Sequence, residues 1–122
     1  MTKLPDAIVS HEDGITFVTI APEFETLYES DLERLTETLL ATAESATPPL
    51  VLVDIPQIKF FGSAFLGILL RASNRLRLRE GGRLGLCRLT PYCRTVMDIT
   101  KSDRLWDIFE TREEAIAEFS NA

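Results

Sequence analysis

Residues 50–70 read LVLVDIPQIKFFGSAFLGILL. The first six form a nearly continuous apolar run of strand length, flanked by Pro49 and Pro56. Such a run suits a central strand covered on both faces, the situation of a parallel sheet. From Ser63 onward the periodicity changes. Leu66, Leu69, Leu70, Ser73 and Leu76 follow an i, i+3, i+4, i+7 course, which predicts a helix over 63–80 that Gly81 and Gly82 stop. The next apolar run, RLGLCRL at 83–89, is again a strand. A strand, a short loop, a helix and a second strand make a parallel crossover unit, so the fold class is α/β.

The flanking segments extend this pattern. Residues 7–10 form a short strand, and Glu12-Asp13-Gly14 is a glycine-containing hairpin loop into ITFVTI at 15–20. A helix over about 27–45 places Tyr28, Leu32, Leu35 and Leu39 on one face and Glu29, Glu33 and Glu37 on another. Thr47-Pro48-Pro49 ends it, because proline cannot continue a helix. Downstream, Thr90-Pro91 pairs a good N-cap with proline at the first helical position and starts a helix through about Ile99. Residues 104–109 lead to a last short strand. Thr111-Arg112-Glu113-Glu114 is a capping box before the helix AIAEF. The expectation is one domain over 1–122: an N-terminal hairpin, a mostly parallel sheet of about five strands, and about four helices.

Composition restricts the chemistry. With 122 residues, 45% of them apolar, the chain can build one core. No apolar run approaches the ~20 residues of a membrane span, and MTKLPDAIVSHED has no signal-peptide core, so a soluble, cytoplasmic location is expected. Two cysteines, Cys87 and Cys93, make neither a disulfide framework nor a four-ligand zinc set, and the single histidine, His11, leaves metal and Ser-His chemistry poorly supplied. The cysteines read as buried structural thiols, Trp106 as a core anchor, and Asp54 as a lone loop-bonding carboxylate. The net charge of -6 is uneven. Residues 71–104 hold nine basic residues against Glu80, Asp98 and Asp103, leaving four basic against sixteen acidic elsewhere. The acidic balance argues against general nucleic-acid binding, which phosphate contacts dominate. The basic segment is a solvated helix face or a surface for an acidic protein partner.

Ser63 stands at the strand-to-helix turn, where open α/β sheets place their sites. Nucleoside triphosphate hydrolysis lacks its groups: Gly62 and Gly67 have phosphate-loop spacing, but Ile68 and Leu69 occupy the Lys and Ser/Thr positions. Hydrolysis by a serine nucleophile lacks them too, since GSAFLG is not G-x-S-x-G and His11 lies by the first turn. Two readings of Ser63 stay open: a helix cap, and a phosphorylation acceptor whose phosphate the helix N-terminus would tolerate.

The motifs together resemble the STAS domain (sulphate transporter and anti-sigma factor antagonist). The matching positions are Val53-Asp54, Phe60, Ser63, Leu66-Gly67, Gly81-Gly82, Asp103-Arg104-Leu105 and Phe109-Glu110-Thr111, most strongly over 50–119. The resemblance implies a non-enzymatic module of bacterial signalling that binds an anti-sigma factor or serine-kinase-like ATPase. It implies no cofactor or metal. Its alternative is a STAS subunit of a membrane lipid-transport ATPase, and nucleotide sensing is a third reading with no phosphate motif behind it. The departures are specific. The family's D-S-S-G is G-S-A-F here, so the usual phosphoacceptor position is Ala64, and Ser63 alone keeps a hydroxyl. The partner-binding surface is expected at 59–75, through Phe61, Gly62, Ser63, Ala64, Phe65, Ile68, Arg71, Ala72 and Arg75. Within it, Phe65, Ile68, Ala72 and Arg75 form a stripe beside the main core face. That stripe is either a contact surface or is covered by the N-terminal hairpin or the loop after the second strand.

Overall fold

The computed structural model describes residues 7–20, 29–56, 58 and 61–120. Five strands, β1 (Ala7–Glu12), β2 (Ile15–Ile20), β3 (Leu50–Asp54), β4 (Arg83–Cys87) and β5 (Asp107–Phe109), lie in one sheet in sequence order. The β1–β2 pair is antiparallel, joined by the turn in which Asp13 and Gly14 take positive φ, and the other three pairings are parallel. Between parallel strands run α1 (Glu29–Ser45), α2 (Ser63–Arg77) and α3 (Pro91–Ile99), and α4 (Arg112–Ser120) follows β5. This is the expected α/β domain with its mostly parallel sheet.

The topology dictates which face each helix covers. Right-handed crossovers that always step the same way along a sheet place every crossover helix on one side. The core follows. Val18, Ile20, Val51, Val53, Leu84 and Leu86 pack with buried residues of α1, α2 and α3. Ile15, Phe17, Leu52, Cys87 and Phe109 pack with Ala115 and Phe119 of α4. The consecutive residues Val51, Leu52 and Val53 are all fully buried because they alternate between these two layers. Gly85 marks where α4 comes closest: a Cβ there would stand 3.0 Å from the Phe119 ring and 3.1 Å from Leu52. Gly82 admits no side chain either, since a Cβ would overlap the Leu76 carbonyl at the end of α2.

Element ends differ from the sequence reading in places. β1 runs two residues further, to Glu12. β4 stops at Cys87 rather than 89, because Arg88 turns to φ 57. α2 ends at Arg77 rather than 80, where the Arg79 amide bonds the Leu76 carbonyl and tightens the last turn. α4 reaches back to Arg112. The expected helix start at 27 and the residues Tyr28 and Phe60 lie outside the described residues.

Candidate functional site

Beyond Asp54 the chain crosses from β3 to α2 through a loop fixed at several points. The Ile55 amide bonds the Cys87 carbonyl at 3.3 Å, extending the sheet by one rung. The Ile58 carbonyl accepts from Thr90 Oγ1 at 2.8 Å and from Cys93 Sγ at 3.2 Å. Thr90 also accepts from the Cys93 amide as the N-cap of α3, so one hydroxyl serves both the helix and the loop. Ile55, Ile58 and Phe61 are buried, and the Phe61 ring meets that of Phe65 at 5.1 Å. Ile55, Ile58 and Phe61 are thus anchored, and Gly62, Ser63 and Ala64 are exposed where α2 begins.

Ser63 does not cap α2. Gly62 is the N-cap, no side chain bonds the free amides there, and Ser63 is the first helical residue. A serine at that position has already turned into the helix, so its hydroxyl cannot fold back as a capping residue's does. Among the described residues its hydroxyl has no hydrogen-bond partner. The Phe65 stripe is also corrected. Phe65, Ile68 and Ala72 are 0%, 6% and 1% exposed, and Phe61 is buried with them. Among the described residues the covering element is α1, whose Leu32, Leu35, Leu39 and Ala43 share their cluster; the loop after β2 lies outside the described residues. Arg75, the polar end of the stripe, is paired with Glu44 of α1. The exposed face is turned the other way. Ser63, Gly67, Leu70, Arg71, Asn74 and Leu78 follow one another at helical spacing and are open to solvent. Of the nine residues expected at the interface, Gly62, Ser63, Ala64, Arg71 and Arg75 are exposed. Leu70, which the apolar spacing assigns to the sheet-facing side, lies on this exposed face with Asn74 and Leu78.

Asp54 is not a lone carboxylate. It is fully buried where β3 ends, and Arg88 holds it with two bonds, Nε to Oδ1 at 2.8 Å and Nη2 to Oδ2 at 2.5 Å. Arg112 adds a third, Nη1 to Oδ2 at 3.0 Å, reaches Glu12 with Nη2 at 2.9 Å, and lies 4.1 Å from the centre of the Phe17 ring. One arginine thus ties the start of α4 to the hairpin and to β3. Three charge-assisted bonds meet the need of a buried carboxylate. Beside it, burial first and the Asp54 charge second push the Cys87 thiol up to about 12, and burial likewise raises Cys93. Both are protonated structural thiols at neutral pH.

The site offers few reactive groups. His11 bonds Thr16 across the hairpin at 3.2 Å. Among the described residues no three His, Cys, Asp or Glu side chains come together to hold a metal, and no helix is long and apolar enough to cross a membrane. The strand order never reverses, so the sheet has no crevice of the kind doubly wound folds use for nucleotides.

A small α/β module with exposed residues at the turn into α2 is the class these features define. The chain belongs to the STAS domain family, whose family model matches residues 7–115. It is similar to an anti-sigma-factor antagonist (STAS) domain protein from Planctomyces limnophilus, at 33% identity and a TM-score of 0.88, over 94% of this chain and 98% of that one. An anti-sigma factor antagonist from Mycobacterium paratuberculosis is 21% identical with a TM-score of 0.78, over 97% and 98% of the two chains. The antagonist SpoIIAA in its unphosphorylated form is 15% identical with a TM-score of 0.69, over 95% and 99%. The last two likenesses concern the fold. No curated protein matches the chain.

Proposed function

We propose that this protein is a non-catalytic interaction module of the anti-sigma factor antagonist type, active in bacterial signalling. Its partner is an anti-sigma factor or a serine-kinase-like ATPase, and its docking surface is Gly62–Ala64 with the exposed face of α2. The observation that carries this reading is Gly67. Glycine inside a helix costs about 1 kcal/mol relative to alanine. Among the described residues a Cβ here would meet nothing within 4 Å, so no contact among them calls for glycine. With Gly62, Ser63 and Ala64 it leaves the start of α2 almost bare of side chains, which lets another backbone approach closely. Arg71, about one turn beyond Gly67, adds charge at the edge of this strip.

The resemblance puts the phosphoacceptor at Ala64, which has no hydroxyl, so binding here proceeds without the usual switch unless Ser63 replaces it. Ser63 is exposed and unengaged, which suits an acceptor. Affinity purification of the tagged protein from its native cells, with phosphate mapped in the same sample, tests both points. A copurifying anti-sigma factor or kinase-like ATPase supports the reading, and phosphate on Ser63 makes it a displaced switch. Recovery of a transporter ATPase instead overturns it in favour of a transport subunit.

A further inference from the structure

At the opposite end of the sheet from Ser63, a cavity of about 230 Å³ opens where β4 and β5 begin. Its walls include Ser73, Arg77, Arg83, Arg104, Trp106 and Asp107. Trp106 is 5% exposed, and its indole Nε1–H has no acceptor among the described residues. Buried donors without partners are rare in folded proteins, and each calls for an explanation. Ser73 is 3% exposed, and its hydroxyl likewise makes no hydrogen bond among the described residues. Of the three arginines, Arg83 donates to Asp107 Oδ2 at 2.7 Å and Arg77 to the Leu105 carbonyl at 3.3 Å. No carboxylate among the described residues pairs with Arg77 or Arg104. Asp107, the one carboxylate among the described wall residues, is taken up by Arg83.

Each of these groups can donate a hydrogen bond, and the described wall residues carry more positive than negative charge. The complement is a compact anion with several acceptor oxygens. The volume is below the ~300 Å³ at which drug-sized ligand sites begin, and corresponds to roughly seven or eight waters at about 30 Å³ each. Guanidinium groups bind phosphate oxygens in paired, directional bonds. We infer that this cavity binds a phosphoryl group, with Arg77 and Arg104 supplying charge and Trp106 a neutral donor. The cavity uses the C-terminal end of α2, at the other end of that helix from Gly62–Ala64. The phosphoryl group belongs either to a soluble phosphate or to a phospholipid headgroup.

Trp106 is the only tryptophan in the chain, so its fluorescence reports on this cavity alone. Inorganic phosphate is titrated at fixed ionic strength, with chloride making up the balance. The expected result is a saturable change in emission, weakened at least tenfold in Arg104→Gln, whose fold is checked by circular dichroism. No saturable change, or an unaltered response in both Arg104→Gln and Arg77→Gln, overturns the inference. Sedimentation with phosphatidic acid vesicles, against phosphatidylcholine alone, separates the sources: phosphate-displaceable pelleting assigns the headgroup, and its absence beside a positive titration assigns a soluble phosphate.

Discussion

Replacing Asp54 by asparagine removes one negative charge and almost no volume from a fully buried position. In the native protein that charge accepts two bonds from Arg88 and one from Arg112. Asparagine keeps one acceptor oxygen and turns an amide donor toward guanidinium groups that can only donate. Breaking a buried pair from one side costs about 3–5 kcal/mol when the stranded charge stays buried. Here the arginine side chains are 41% and 25% exposed, so water recovers part of their solvation. The expected loss lies at the lower end, about 3 kcal/mol. Urea unfolding followed by circular dichroism measures it, with Arg88→Gln as a milder companion. A second readout is independent of stability: Asp54 helps hold the Cys87 thiol protonated, so its pKa falls in Asp54→Asn. A loss below about 0.5 kcal/mol, the range of surface substitutions, would refute the reasoning.

Phe65→Ala is expected to cost about 3–5 kcal/mol in the same assay, because the ring is a core side chain; a near-neutral result would return it to the surface. Ser63→Ala should change stability by less than about 0.5 kcal/mol, whereas Thr90→Ala, which loses both a cap and the bond to the Ile58 carbonyl, should cost about 1–2 kcal/mol. At pH 8 neither cysteine is expected to react with a thiol reagent before unfolding, and reaction in the native state would contradict their burial. The pH dependence has a definite sign. A thiol raised from 9.0 to about 12 keeps its proton in the folded state where the unfolded chain has lost it. Stability contributed by Cys87 is therefore complete below about pH 9 and declines between 9 and 12, visible as a falling thermal midpoint.

The architecture was legible because strand and helix differ in period and in punctuation. The apolar run at 50–55 could only be a strand covered on both faces, and Thr90-Pro91 could only open a helix. The orientation of α2 was not legible. From Phe65 to Leu70 apolar residues occupy almost every position, so a wide arc fits several rotations about the helix axis. The choice is made by α1, whose Leu35, Leu39 and Ala43 cover Phe65, Ile68 and Ala72. The partners of Asp54 were hidden for another reason: Arg88 and Arg112 lie 34 and 58 residues away, and only the sheet brings them together. Ser63 looked like a cap because it opens the helical pattern, but Gly62 already has the extended backbone of an N-cap.

Gly67→Arg offers the most direct test of the docking surface. A Cβ at this position has open space around it, and arginine is the better helix former, so the folded state should be unchanged or more stable by up to about 1 kcal/mol. The measurement is capture of the native partner by tagged wild-type and Gly67→Arg proteins, each with its thermal midpoint. Loss of the partner with an equal or higher midpoint is the predicted result. Undiminished capture by the arginine variant would show that the partner binds elsewhere and would contradict the account.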